Sequence, residues 1–88
     1  MMQVVNTQEW IIGLNPDESG MYMVTFLVTW ENGKTWRGID LLEFERITTE
    51  DIWQPDEMTW FTDKIEKRFP SATVKVVAWM PLPEVCED

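Results

Sequence analysis

The chain of 88 residues contains no histidine and a single cysteine, Cys86. Without histidine it cannot form a Ser-His-Asp or Cys-His catalytic system. One cysteine cannot build a disulfide framework or a zinc site of Cys and His ligands. Histidine-dependent nucleophilic catalysis and structural zinc are therefore excluded.

Basic residues are also scarce. Seven Lys and Arg stand against sixteen Asp and Glu, which gives a formal net charge of -9 at pH 7. Nucleic-acid phosphates and anionic membranes attract proteins of the opposite sign. We expect no direct binding to nucleic acid and no binding to a membrane surface.

Long apolar runs are absent. The longest stretch free of charge, Ser19 to Trp30, has 12 residues, whereas a membrane helix needs about 20. No basic region precedes an apolar stretch at the start, so we expect no signal peptide. These features predict one domain over residues 1–88 in the cytoplasm.

The residues that are abundant are large and apolar. Six Trp, four Phe and six Met are more apolar material than a disordered acidic chain carries, so we predict a folded core.

Residues 3–12 suggest an N-terminal strand or arm, and residues 13–20 a turn with Asn-Pro and two glycines. Residues 21–30 are rich in Val, Thr and aromatic residues and predict a strand.

Asn32-Gly33 is a strong signal for a β-hairpin. With these two residues as the loop, Glu31 pairs with Lys34. The predicted core face then carries Tyr22, Val24, Phe26, Val28 and Trp30 opposite Ile39 and Leu41. The predicted second face carries Met21, Met23, Thr25, Leu27 and Thr29 opposite Trp36, Asp40 and Leu42.

A helix over residues 56–68 is predicted from the spacing of Met58, Phe61, Ile65 and Phe69. Acidic residues open this segment and basic residues close it, as the helix dipole prefers, and Pro70 ends it. Residues 72–80 predict the last strand, with Val74, Val76, Ala78 and Met80 on one side. The sequence therefore predicts an α+β fold in which one helix packs on a small antiparallel sheet of three to four strands.

The segment Trp79-Met80-Pro81-Leu82-Pro83-Glu84, after the apolar run 76–78, resembles the closing motif of a family of small proteins from bacteriophages and prophages. Members of that family, whose function is unknown, open with a Trp, here Trp10. They continue with a Pro-x-x-x-Gly turn, here Pro16 to Gly20, into an apolar strand. Residues 43–71 are longer than the corresponding link of the family. The resemblance implies a phage origin and no particular activity.

Carboxylates are the only acid–base groups left for catalysis. Glu43 and Glu45 share a strand face, and Glu50-Asp51 and Asp56-Glu57 are adjacent pairs. Catalysis or metal binding needs carboxylates that converge in a cleft, and the spacing indicates none. We therefore expect no enzymatic activity, no cofactor and no metal.

From Asp40 to Glu57 seven acidic residues accompany one basic residue, Arg46. Apolar residues, among them Phe44 and Trp53, lie between them. Acidic groups around aromatic anchors suit binding to a basic groove, because charge speeds association and buried aromatics supply affinity. In the alternative interpretation the aromatics are core and the acids only solubilise. The candidate partner-binding residues are Glu43, Glu45, Glu50, Asp51, Trp53, Asp56, Glu57 and Trp60.

Two function hypotheses follow. The first is a phage-encoded protein that binds and inhibits or modulates a host protein with a basic surface, such as a nucleic-acid-handling defence enzyme, in the bacterial cytoplasm. The second is a small-ligand module in which Trp36, Trp60 and Trp79 line a pocket for a nucleotide-like compound. A structural or assembly role in the virion is a third alternative.

The oligomeric state depends on which sheet face the helix covers. If the helix covers the face of Val24 and Phe26, the second face needs another subunit, and a homodimer is expected.

Overall fold

The computed structural model of the protein describes residues 9–83. In that range the elements are β1 (Gly20–Trp30), β2 (Thr35–Ile47), β3 (Glu57–Trp60), α1 (Asp63–Arg68) and β4 (Ala72–Pro81). The strands form one antiparallel sheet in the order β3-β2-β1-β4. A small antiparallel sheet with one short helix is thus confirmed, and most of the structure is β. The predictions for residues 3–8, Glu84 and Cys86 lie outside the described residues.

The β1–β2 hairpin turns at Asn32-Gly33, as predicted, but its loop has three residues. The Trp30 N–H donates to Lys34 O at 2.9 Å, and the Gly33 N–H donates to Trp30 O at 2.9 Å. Gly33 has a φ of 85°, the left-handed conformation that follows a type I turn in three-residue hairpins. Trp30, and not Glu31, is therefore opposite Lys34.

This difference of one residue exchanges the inner and outer faces of β2 relative to the prediction. Val24 pairs with Asp40, Phe26 with Gly38 and Val28 with Trp36, because a one-residue slip moves each side chain to the other face of a strand. The predicted core partners Ile39 and Leu41 consequently lie on the outer face, where both are exposed. The prediction for the β1 core face was right, and that for its β2 partners was wrong.

The predicted sides of β4 also change partway along the strand. Phe26 pairs with Val76 while its neighbour Thr25 pairs with Ala78, so Val77 forms a β-bulge. An extra residue in one strand reverses the alternation beyond it. Val74, Val76 and Trp79 therefore pack against the core, whereas Ala78 and Met80 lie on the opposite face.

The predicted helix over 56–68 is half the expected length. Residues 57–60 form β3, which pairs with residues 44–47 at the end of the long strand β2. The free edge of β2 offers hydrogen bonds that outweigh the helical spacing of Met58 and Phe61. The helix α1 begins after Thr62, whose carbonyl accepts from the Ile65 and Glu66 N–H groups at 3.0 and 2.9 Å. It ends before Pro70, as predicted.

The core lies between α1 and the inner face of β1 and β2. Ile65 is the buried residue of the helix, and it joins Val24, Phe26, Val28 and Leu42 in the central cluster. Among the described residues no polar or charged side chain is fully buried. The helix thus covers the face of Val24 and Phe26.

Asp40 attaches the helix to the sheet. Its carboxylate lies 3.0 Å from Lys64 Nζ and 3.9 Å from the Arg68 guanidinium, and it accepts from the Leu41 N–H at 2.7 Å. Burial opposes ionisation, but the hydrogen bonds from Lys64 and Leu41 and the charges of Lys64 and Arg68 outweigh it and lower the pKa of Asp40.

The substitution Asp40→Asn is expected to reduce the free energy of unfolding by about 1 kcal/mol at pH 7, since the ion pairs are largely exposed to solvent. The pKa of Asp40 is lower in the folded protein than in the unfolded chain, where it is near 3.8. The ionised carboxylate therefore stabilises the folded state at pH values above 3.8, and this stabilisation is lost as the pH falls through the folded-state pKa. Urea unfolding of both proteins at pH 7 and pH 3 should show the difference shrinking at pH 3. Asp63→Asn, in the first turn of α1, is the control and should be near neutral. If Asp40→Asn lowers the free energy of unfolding equally at both pH values, the stabilisation by Asp40 is not ionic.

Candidate protein-binding surface

The acidic loop, residues 48–56, connects β2 to β3 and carries the most exposed large apolar side chains among those described. Ile52 is 87% exposed and Trp53 is 86% exposed. Glu50 and Asp51 precede them, and the loop contains no basic residue. An indole held in water beside carboxylates is unusual for a residue that mostly seeks burial. The loop therefore matches the expected combination of an aromatic anchor and acidic neighbours.

Hydrogen bonds within the loop fix the conformation that displays Trp53. The Trp53 N–H donates to Asp51 Oδ1 at 2.9 Å, and the Gln54 N–H donates to Asp51 O at 3.1 Å. The Thr49 hydroxyl lies 2.9 Å from Gln54 O and 3.1 Å from Asp51 O. Asp51 thus forms an Asx turn as well as contributing charge. A preformed loop loses less conformational entropy when it binds a partner.

Three predicted acidic residues lie on the outer side of the sheet, in the strands that the loop connects. Glu43 and Glu45 share the outer face of β2 with Ile47, and Glu57 of β3 pairs with Ile47. All three are exposed. They extend the negative surface of the loop toward the sheet.

Asp56, the last residue of the acidic loop, is paired with Arg46. Its Oδ2 lies 3.4 Å from Arg46 Nε, and the other side of the same guanidinium lies 3.7 Å from Asp17 and donates to Pro16 O at 3.2 Å. Arg46 thereby connects the loop end to the N-terminal segment. The negative charge of Asp56 is partly neutralised, so this residue contributes less to the surface than predicted.

Trp60 is not an exposed anchor. It lies in β3 and packs with the Phe44 and Tyr22 rings at centroid distances of 4.7 and 5.9 Å. Phe44 is buried and Trp53 is exposed, so the alternative interpretation of both as core is right for Phe44 and wrong for Trp53. Trp60 is partly buried and packs against the core.

The three tryptophans of the small-ligand hypothesis do not share one pocket. Trp60 and Trp79 lie on either side of Tyr22, whereas Trp36 packs against Phe26 and Phe69 near the hairpin. An open cavity of about 650 Å³ beside Trp36 is lined by aromatic and basic groups. These are Trp30, Phe69, Lys34 and Arg68. A convergence of Arg37 with Lys64 or Lys67 beside a Trp would favour this hypothesis, but Arg37 lies on the other side of the sheet from α1.

Trp79 of the C-terminal motif has a structural role. Its indole N–H donates to Leu14 O at 2.7 Å, and its backbone pairs with Ile11 in an isolated antiparallel bridge. These bonds hold residues 11–16 across the end of the inner sheet face, where Pro16 is buried. The Tyr22 hydroxyl donates to Glu18 O at 2.7 Å at the end of this segment.

The described residues provide no cluster of three or more ligands for a metal ion. Nor does any helix of residues 9–83 have the length and apolarity to cross a membrane. The carboxylates considered as candidates for catalysis lie in three places: the outer face of the sheet, the acidic loop, and the ion pair of Asp56 with Arg46. None converges with another in a cleft.

No family model, curated protein or solved structure matches the chain. The resemblance of the C-terminal motif to the phage family therefore stays a prediction.

Proposed function

We propose that the protein binds a basic groove on a partner protein through the acidic loop, with Trp53 as the anchor. The observation that carries this proposal is the 86% exposure of Trp53 in a loop whose own hydrogen bonds hold it outward. Tryptophan is among the residues that contribute most to binding energy at protein interfaces.

The charge pattern supports a basic partner. Glu50 and Asp51 precede the anchor, and Glu43, Glu45 and Glu57 lie on the outer side of the sheet. The net charge of -9 adds a long-range field of the same sign. Such a field speeds association with a positive surface and repels acidic competitors. Basic grooves are typical of proteins that handle nucleic acids.

The proposal includes a phage origin for the protein and a host protein as its partner. The likeness of residues 79–84 to the phage motif favours a phage-encoded modulator of a host protein, and a nucleic-acid-handling defence enzyme has the required positive groove. The protein would act by occupying that groove, with no chemistry of its own.

The test is affinity capture from a bacterial lysate with the tagged protein, washed at low and at high salt. We expect a host protein that is retained at low salt and released at high salt, because screening weakens exposed charge pairs. The variant Glu50→Lys/Asp51→Asn should bind it about 3- to 10-fold more weakly at low salt, with a flatter salt dependence. Asparagine keeps the Oδ1 acceptor of the loop turn, so the variant changes charge and preserves shape.

Glu9→Lys/Glu31→Gln is the matched control, with the same change in net charge at two exposed sites away from the loop. Equal weakening by both variants would show that total charge, and not the loop, drives binding. An empty eluate at both salt concentrations would instead favour the small-ligand alternative. Its site would be the cavity beside Trp36, where Lys34 and Arg68 could hold an anionic group next to aromatic rings.

A further inference from the structure

The outer face of the sheet, on the side away from α1, is apolar in its middle. Met23, Ile39 and Leu41 lie there in adjacent positions of β1 and β2. Ile39 is 64% exposed and Leu41 is 40% exposed, and Met21 at the margin of the patch is also exposed. Ala78 and Met80 of β4 lie on the same face but are buried, so the exposed apolar patch is the part formed by β1 and β2. Exposed apolar patches rimmed by polar residues are typical of interaction surfaces.

The charges at the two ends of this face have opposite signs. Arg37 and Lys75 flank Leu27 at one end, and Glu43 and Glu45 lie at the other end. None of these four makes an ion pair within residues 9–83. Arg37 and Glu43 are six residues apart on one strand, which corresponds to about 20 Å. They are too far apart to pair within one chain.

We propose that this face is the interface of a homodimer, in which the outer sheets of two copies pack with their strands antiparallel. A two-fold axis that crosses the strands at the level of Asp40 places Arg37 of one copy over Glu43 of the other. The same axis places Ile39 of one copy over Leu41 of the other. A two-fold axis along the strands would place like charges together, so the charge pattern selects the first arrangement.

The sheet-on-sheet distance is compatible with these pairs. Packed sheets lie about 10 Å apart, a gap that the long side chains of Arg and Glu can span together. The dimer does not depend on the proposed function. It buries Glu43, one of the predicted partner-binding residues, but leaves Trp53 of the acidic loop beyond the face.

The first test is the mass of the full chain in solution by sedimentation equilibrium. We expect a concentration-dependent dimer for the wild type, and a monomer for Ile39→Glu, which places a charge in the apolar centre. Ile52→Glu makes the same change at a more exposed isoleucine outside the face and should stay dimeric. A wild type that is monomeric at every concentration, or an Ile39→Glu variant that still dimerises, would overturn the proposal.

The second test uses complementary charges. Arg37→Glu and Glu43→Arg should each weaken the homodimer at least about tenfold, because every interface pair becomes a pair of like charges. In an equimolar mixture of the two variants, each pair again joins opposite charges, so a heterodimer should form at near wild-type affinity. If the mixture stays monomeric while the wild type dimerises, the strands do not pack in the antiparallel arrangement. If neither variant changes the mass of a dimeric wild type, the dimer forms through another surface, and the proposal is overturned.

Discussion

The substitution Gly38→Ala is expected to reduce the free energy of unfolding by about 2 kcal/mol and to lower the melting temperature by roughly 10 °C. A Cβ atom at this position would lie 2.6 Å from Phe26 Cζ and 2.7 Å from Trp36 Cζ3. Gly38 pairs directly with Phe26 across the hairpin, and the two rings meet above it at a centroid distance of 5.7 Å. Phe26 is fully buried and cannot move, so Trp36 has to be displaced from its contact with Phe69.

Thermal unfolding followed by circular dichroism measures this effect. Gly20→Ala is the control, because its Cβ would meet only Tyr22 at an ordinary 3.8 Å, and its stability should change little. In a Phe26→Leu background the loss caused by Gly38→Ala should become smaller, since the shorter side chain leaves room for the methyl group. Equal losses in both backgrounds would show that the Phe26 ring does not lie over Gly38.

The substitution Trp53→Ala is expected to weaken binding to the proposed partner at least about 30-fold while the fold stays intact. The binding loss follows from the 2 kcal/mol or more that an anchoring tryptophan typically contributes. The free energy of unfolding should change by less than about 0.5 kcal/mol, because the side chain is almost fully exposed and such positions tolerate substitution.

The measurement pairs titration calorimetry against the captured partner with urea unfolding of the variant. Trp53→Phe keeps an aromatic ring and should recover part of the affinity. A variant that binds as well as the wild type would exclude Trp53 as the anchor and leave charge alone to explain any capture. A large loss of stability would instead show that the indole packs against the fold.

The core face of β1 was predictable from the sequence, and its partners on β2 were not. Val24, Phe26 and Val28 alternate cleanly, but the register depends on whether the hairpin loop has two or three residues, and Asn32-Gly33 suits both. A signal was nevertheless present: Phe44 follows Leu42 at the spacing of one face, and Glu43 and Glu45 occupy the other. Extending the strand to Phe44 would have placed Leu42 inside.

The predicted helix was too long for a related reason. Met58, Phe61 and Ile65 have the spacing of a helix, but residues 57–60 gain more by pairing with the free edge of β2 than by continuing α1. Such tertiary pairing is invisible in local spacing. For the candidate site, the sequence supplied Trp53 and its acidic neighbours but could not separate it from Trp60, since only the fold decides which indole finds an aromatic cluster.

The position of β1 in the middle of the sheet has a consequence for how the chain folds. Its two neighbours come from very different places in the sequence. The strand β2 follows β1 after a short turn, whereas β4 pairs with β1 across more than 40 residues. The hydrogen bond from the Trp79 indole to Leu14 O spans 65 residues. Contacts so distant in sequence slow folding. The edge of β1 from Tyr22 to Trp30 therefore stays unpaired until residues 72–81 have left the ribosome. During that interval the exposed edge can pair with another nascent chain.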